Sequence, residues 1–441
     1  MSVAPQTTGD EPGAVRATGV ELYAVAVASL RESVVENGLP LVELGIDGTR
    51  AVTVLVAFDA GARAERPEEN GIAHFLEHLV FKGSERYPSH REITRTAERL
   101  GARVNAYTSH DLVAFHVTCR AEAVMEAADL LTDFVARPLL DPDGLERERG
   151  VVIQEIAQSD DQPPRVASNL LDRAAHGEHP LGRAILGPRE HLESFSREAV
   201  LGFRERRWAP ARGAAFVAGN VSCVEAPRLA ELFGRFPARP GADRSEPAHP
   251  FERRVLAEER DTEQSHLRLH WPAPIDFRDP AQRAALTVYA TLLGGSMGSR
   301  LFDEIREQRG LCYSIWAHPH VHADFGSLRV GAGLESGKCV EAYQRIVEIV
   351  HELAADGPRP EEVERVRPYA AGSLVLALER SQTVAGRAAD RRIILGETGS
   401  PEEAIAALDA VTEADVREVA RAISGAPTVA CVGPHEAADF E

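Results

Sequence analysis

Two stretches of this 441-residue chain repeat one pattern. Residues 114–135 read AFHVTCRAEAVMEAADLLTDFV, and residues 327–350 read SLRVGAGLESGKCVEAYQRIVEIV. Each is an alternating run, a short turn, then an amphipathic helical run. The offset of about 215 residues is far above the period of solenoid repeats, so it indicates a duplicated domain. A second echo supports this: NGIAHFLEHLVFKGS and GGSMGSRLFDEIREQRG both open a helix after a glycine-containing turn. Residues 236–250, FPARPGADRSEPAHP, hold four prolines and one glycine and read as an exposed linker. The expected organisation is a disordered leader at 1–18, a first domain at 19–235, the linker, and a second domain at 251–441.

Each unit reads as α/β. Expected strands lie at 41–44, 52–58, 114–119 and 214–217 in the front half, and at 266–270, 327–333 and 428–432 in the back half. Expected helices lie at 72–81, 90–100, 121–135, 143–159 and 164–175, then at 280–293, 301–309, 339–354 and 361–379. The fold class is α+β: two duplicated α/β domains with mixed or antiparallel sheets flanked by helices.

Charge narrows the function. Lys plus Arg number 49 and Asp plus Glu 68, a formal charge of −19, so no basic footprint for nucleic acid is present. No apolar run reaches the ~18 residues of a membrane span. The run LYAVAVASL at 22–30 follows acidic, Gly/Pro-rich sequence and reads as a first strand or helix, not a secretion signal. Cys119, Cys223, Cys312, Cys339 and Cys431 are scattered without a CxxC pair. That argues against a disulfide framework and a cysteine zinc site, and for a reducing, cytoplasmic setting.

The chemical signal is His74-Phe75-Leu76-Glu77-His78. Asn70 is a plausible helix N-cap before it and Gly83 a stop after it. In a helix His74 and His78 stand one turn apart on one face, where two imidazoles can share a tetrahedral zinc. Glu77 lies near that face and can take a proton from water. A third ligand is needed. In DGLERERGVVIQEIAQS (143–159), Leu145, Glu148, Val152 and Glu155 share one helical stripe. Folding would press both carboxylates inward, and a buried carboxylate needs a partner or a metal. The plain alternative is a helix whose glutamates face water.

HFLEH followed by the distant Glu155 in VVIQEI resembles the pitrilysin/insulinase family of inverzincin metallopeptidases. The resemblance implies one zinc per chain held by His74, His78 and Glu155, with Glu77 as general base and Glu148 as a supporting acid. It extends along nearly the whole chain. GARVNAYTSHD looks like the family's substrate-binding edge strand, where Asn105 and Ala106 match positions that bind peptide backbone, and Phe115 stands where a tyrosine is common. HGEHPLGRAILGPREHL looks like the segment after the third ligand. In GGSMGSRLFDEIREQRGLCYS the resemblance marks Arg306 and Tyr313 and implies that they contact substrate across a clam-like chamber. It implies hydrolysis of unfolded peptides by a zinc endopeptidase. Larger relatives join four such domains, so a homodimer is expected here, with a heterodimer beside a sister subunit as runner-up. A non-catalytic assembly subunit and a maturation protease for a small modified peptide are the competing functions.

Other clusters read more plainly. His176 and His179 lie in a Gly/Pro loop and suit turn capping. His318, His320 and His322 alternate along an extended run and would share one wet strand face. Residues 294–298, GGSMG, lack the Lys-Ser/Thr of a phosphate loop and suit a tight turn or a substrate-facing loop. Cys312 reads as a small buried residue.

Overall fold

The computed structural model describes residues 27–242, 251–322 and 324–441. The leader and most of the linker expected above lie outside these residues. The first sheet is built from β1 (Val27–Val34), β2 (Pro40–Ile46), β3 (Ala51–Phe58), β4 (Arg103–Thr108), β5 (Val113–Arg120) and β6 (Gly213–Gly219). Their order is β1-β2-β6-β3-β5-β4, and only β2 and β6 run parallel. The second sheet takes β7 (Val255–Glu259), β8 (Gln264–Pro272), β9 (Cys312–Val321), β10 (Gly326–Glu335) and β11 (Thr428–Gly433) in the order β7-β11-β8-β10-β9. Again one pair, β7 with β11, is parallel. Leaving β1 aside, the two orders match strand for strand. The mixed sheets flanked by helices are those expected.

The front-half helices are α1 (Ile72–Leu79), α2 (His90–Arg99), α3 (Val124–Ala136), α4 (Pro142–Asp160), α5 (Pro163–His176), α6 (Arg189–Ser194), α7 (Arg197–Arg207) and α8 (Ala226–Phe233). The back half adds α9 (Pro280–Ala290), α10 (Cys339–Asp356), α11 (Pro360–Leu378), α12 (Ser381–Asp390), α13 (Pro401–Ala410) and α14 (Glu413–Ala422). Residues Phe302–Gln308, expected as an α-helix, form a π-helical segment. The matched sheets show that the second echo paired unlike elements. Setting aside single turns and the π-helical end of α9 at Thr291–Gly295, two helical segments in each half separate the central strand from the edge strand, so the counterpart of α1 is α9, and Phe302–Gln308 answers to α2.

Alternation explains how the sheets are covered. Along β3, Val52, Val54, Val56 and Phe58 face the core made with α1 and α3. Leu55 and Ala57 face the other side and meet Val384, Ala385, Ala388 and Ala389 of α12. A helix of the back half thus covers the front sheet. The exchange is mutual: Ala167, Leu170 and Leu171 of α5 cover Ala430 and Val432 of the back sheet. Each fully buried leucine contributes about 1.5–3 kcal/mol, so this crossing fastens the halves through cores and not only through a linker.

Candidate metal centre

Helix α1 presents two faces. Ile72, Phe75, Leu76 and Leu79 enter the core, while His74 and Glu77 are buried along the flank that α4 and β4 cover. Its start differs from the sequence expectation. Asn70 does not cap it. Gly71 holds the cap position with φ at 100°, where a Cβ would meet the Leu186 carbonyl oxygen at 2.6 Å, so only glycine fits. Buried Glu65 does the capping: it accepts from the Gly71 and Ala73 amides at 3.0 and 2.8 Å and from the Asn70 side chain at 3.0 Å. Burial pushes its carboxyl up to about 8 against these three donors. Gly83 ends the turn that follows α1, as expected.

Helix α4 begins at Asp141, whose side chain accepts from the Gly144 amide at 2.8 Å. Its stripe arrives as expected: Leu145, Glu148 and Val152 are buried, and the Glu155 side chain is 34% exposed. Glu155 Oε2 stands 3.4 Å from His78 Nε2 and 3.9 Å from His74 Nε2. Donor atoms of all three residues lie within 4.8 Å of one another. Ligands of a tetrahedral zinc, each about 2.0–2.1 Å from the metal, stand about 3.4 Å apart, so two imidazoles and one carboxylate at these spacings fit that ion.

The surroundings tune the donors. Glu148, only 4% exposed, accepts from His78 Nδ1 at 2.8 Å and pairs with Lys82 Nζ at 2.5 Å. It therefore faces no water; it orients His78 and directs Nε2 inward. Burial works against its charge, but His78 and Lys82 outweigh that and hold it below the usual carboxylate range. Burial likewise pulls the His78 ring down, but hydrogen bonds to Glu148 and Glu155 hold it up at about 9. Burial and the neighbouring His78 ring keep His74 low. A protonated ring between two carboxylates marks a place that calls for a cation. Glu77 accepts from the Thr108 hydroxyl at the end of β4, and burial raises its carboxyl, as suits a base.

Asn105 and Ala106 sit on β4 at the sheet edge, Asn105 exposed. Phe115 is buried against Phe81 and Trp208. The back-half pair is brought together, but not onto this centre. The Arg306 guanidinium lies 5.7 Å from the Tyr313 ring centroid and 4.6 Å from that of Phe302, and Tyr313 is 81% exposed. His179 caps its turn, accepting from the Leu181 amide at 3.2 Å. The wet strand holds for His318 alone: His322 is buried, its Nδ1 2.7 Å from Asp111 Oδ2. Gly294 packs tightly, since a Cβ would meet the Ala317 amide at 2.7 Å. Cys312 is half-buried. Sequence reasoning missed Lys82, Thr108 and Glu65. Lys82 alone carried a signal, one helical turn beyond His78.

Residues 42–189 match the model of the insulinase family, peptidase family M16, and residues 194–368 match that of the M16 inactive domain. The chain is 33% identical over 386 residues to an uncharacterized zinc protease of Bacillus subtilis, covering 88% of this chain and 93% of that protein. It is 29% identical to a probable mitochondrial-processing peptidase subunit beta of Schizosaccharomyces pombe, over 90% of this chain and 89% of that protein. In fold it is similar to an M16 inactive-domain structure from Pseudomonas fluorescens, with a TM-score of 0.84 at 18% identity over 92% of this chain and 98% of that one. Among the described residues no helix is long and apolar enough to cross a membrane.

Proposed function

This chain belongs to peptidase family M16, and from that premise we propose that it is a zinc-dependent endopeptidase acting on extended peptides. The observation that carries this is the convergence of His74, His78 and Glu155 beside buried Glu77. Zinc held there supplies Lewis acidity, acidifying water and polarising a carbonyl. The chain does the rest. Glu77 takes a proton from the attacking water on a carboxylate oxygen and passes it to the leaving amine. Glu148 and Lys82 keep His78 oriented. The substrate adds to the free edge of β4 by backbone pairing. Asn105 and Ala106 lie on that edge, and Thr108 ties the same strand to Glu77, which supports placing a scissile bond beside the base.

Arg306 and Tyr313 join the reaction only when the halves close over substrate, within one chain or across two. Arg306 then binds a substrate carbonyl or terminus, and Tyr313 donates to the oxyanion. A homodimer is the proposed assembly. The likeness to a peptidase subunit beta supports the heterodimer as its alternative. The reducing, cytoplasmic setting belongs to the same proposal and rests on the scattered cysteines. Glu77→Gln tests the whole reading. It should retain zinc at the His74–His78–Glu155 site while cleavage of an unfolded peptide library falls to background. Retained cleavage would remove Glu77 as base, and joint loss of zinc and cleavage would make it a ligand.

A further inference from the structure

A second set of metal-ligating side chains converges in the back half. Cys339 opens α10, and Cys431 lies on β11 opposite Leu267 of β8. Both are fully buried, and their sulfurs are 4.0 Å apart. Donor atoms of Cys339, Cys431 and His435 all lie within 4.8 Å of one another. Two thiolates bound to one tetrahedral zinc at about 2.3 Å stand about 3.8 Å apart, close to the observed spacing.

A chain of hydrogen bonds decides which His435 nitrogen is available. The Thr262 carbonyl can only accept, so Ser336 Oγ spends its proton there at 2.9 Å. Ser336 Oγ therefore accepts from Ser265 Oγ at 3.0 Å. Ser265, its proton spent, must accept from His435 Nε2–H at 2.8 Å. In the neutral ring Nδ1 then carries the lone pair, and it stands 3.6 Å from Asp439 Oδ2. Two acceptors facing each other call for a proton or a cation between them. Fixing a histidine tautomer through its outer nitrogen is how metal-binding imidazoles are held.

We propose that Cys339, Cys431 and His435 supply three donors of a structural site for a soft divalent cation, zinc foremost. Binding converts two thiols to thiolates and releases two protons to solvent, with no change of oxidation state. The dication's charge opposes that of the two thiolates. The site pins the last turn of the chain, where the Tyr343 hydroxyl donates to the Phe440 carbonyl at 2.9 Å, onto the back core. Its ligands are too far apart in sequence for a CxxC search to find, and the one zinc per chain proposed above then counts the front site alone.

The test is cobalt(II) titration of the full-length, chelator-stripped, reduced protein. The wild type should bind two ions per chain and show a near-ultraviolet sulfur-to-cobalt charge-transfer band. His78→Ala should bind one ion and keep the band, because the front site has no sulfur. Cys431→Ser should lose the band, and His435→Ala should weaken the affinity behind it at least tenfold. With two protons released, that affinity should climb about 100-fold per pH unit while the thiols stay protonated. A wild type with no sulfur band overturns the proposal without any variant, as does a band that survives both Cys431→Ser and His435→Ala. Peptide cleavage by the wild type tests the front site separately.

Discussion

Helices α1 and α9 hold the same place in two copies of one topology. Each follows the central strand of its sheet. α1 packs on α4, edge strand β4 and α7; α9 packs on α11, edge strand β9 and α14. Their seams differ. α1 turns His74, Glu77 and His78 towards Glu148 and Glu155. α9 buries Ala284, Ala285, Leu286, Val288 and Tyr289. Its ion pairs are already satisfied: Arg283 of α9 pairs with Glu397 at 3.3 Å, and Arg300 beyond the helix pairs with buried Glu362 at 2.6 Å. The fold therefore does not need a polar seam beneath this helix. The front half carries one against the cost of burying charge, and such a cost marks a site kept for chemistry.

The sharpest way to break this comparison is to remove the seam's donors. His78→Ala and Glu155→Gln should each lose the front zinc and drop peptide cleavage to background, while far-ultraviolet circular dichroism stays native. Either variant retaining front-site metal and full turnover would sink the ligand assignment.

The next effect asks whether the back half takes part in chemistry at all. Tyr313→Phe removes one exposed hydroxyl and no charge. If the halves close and that hydroxyl meets the oxyanion, kcat should fall about 10²–10³-fold with KM unchanged, since one lost donor costs about 3–4 kcal/mol. A rise in KM alone would reduce Tyr313 to a substrate contact. Unchanged constants would leave the back half as a lid.

A smaller loss tests the support beneath His78. Glu148→Gln keeps an acceptor for Nδ1 but removes the charge, and zinc affinity should drop about 10–100-fold by chelator competition. The pH dependence has a definite sign. In the metal-free protein the His78 ring is held up at about 9, so zinc must displace its proton below that pH. Wild-type affinity should rise about tenfold per pH unit and level off near pH 9; in Glu148→Gln it should level off earlier. An unshifted plateau would mean that Glu148 does not set the ring's basicity.

The seam was largely legible in sequence, because HxxEH and a mixed apolar–acidic stripe are local helical patterns. What was hidden came from contacts between distant elements. Nothing local says that α5 leaves the front half to cover β11, or that α12 returns the exchange. Asn70 looked like a cap because it has the right side chain one position too early, whereas Glu65 reaches the helix start from a preceding turn. The run at 318–322 alternates like a half-wet strand, and only the packing of the two halves buries its far end.

That buried end supplies the smallest predicted effect. His322 of the back half, just beyond β9, meets His110 and Asp111 of the front half, Asp111 pairing in turn with Arg63; His320 packs on His322, with His176 and Asp172 on α5, His270 on β8 and Arg329 on β10 around them. Burial first, then neighbouring cationic or imidazole groups, holds His270 and His320 well below 6.5. Burial lowers His110 too, although Asp172 works the other way. These folded-state values lie below the unfolded one. As pH falls through about 6.5 the unfolded chain therefore takes up protons that the folded chain refuses, and stability declines towards acid. His78 has the opposite sign: raised in the metal-free protein, it contributes stability at neutral pH that is lost as pH rises through about 9. Melting curves of the metal-free protein should therefore fall off at both ends, through different halves of the comparison. His320→Asn, which cannot titrate, should flatten the acid limb and leave the alkaline limb alone; His78→Ala should do the reverse. An acid limb unchanged in His320→Asn would remove His320 as a source of the acid sensitivity.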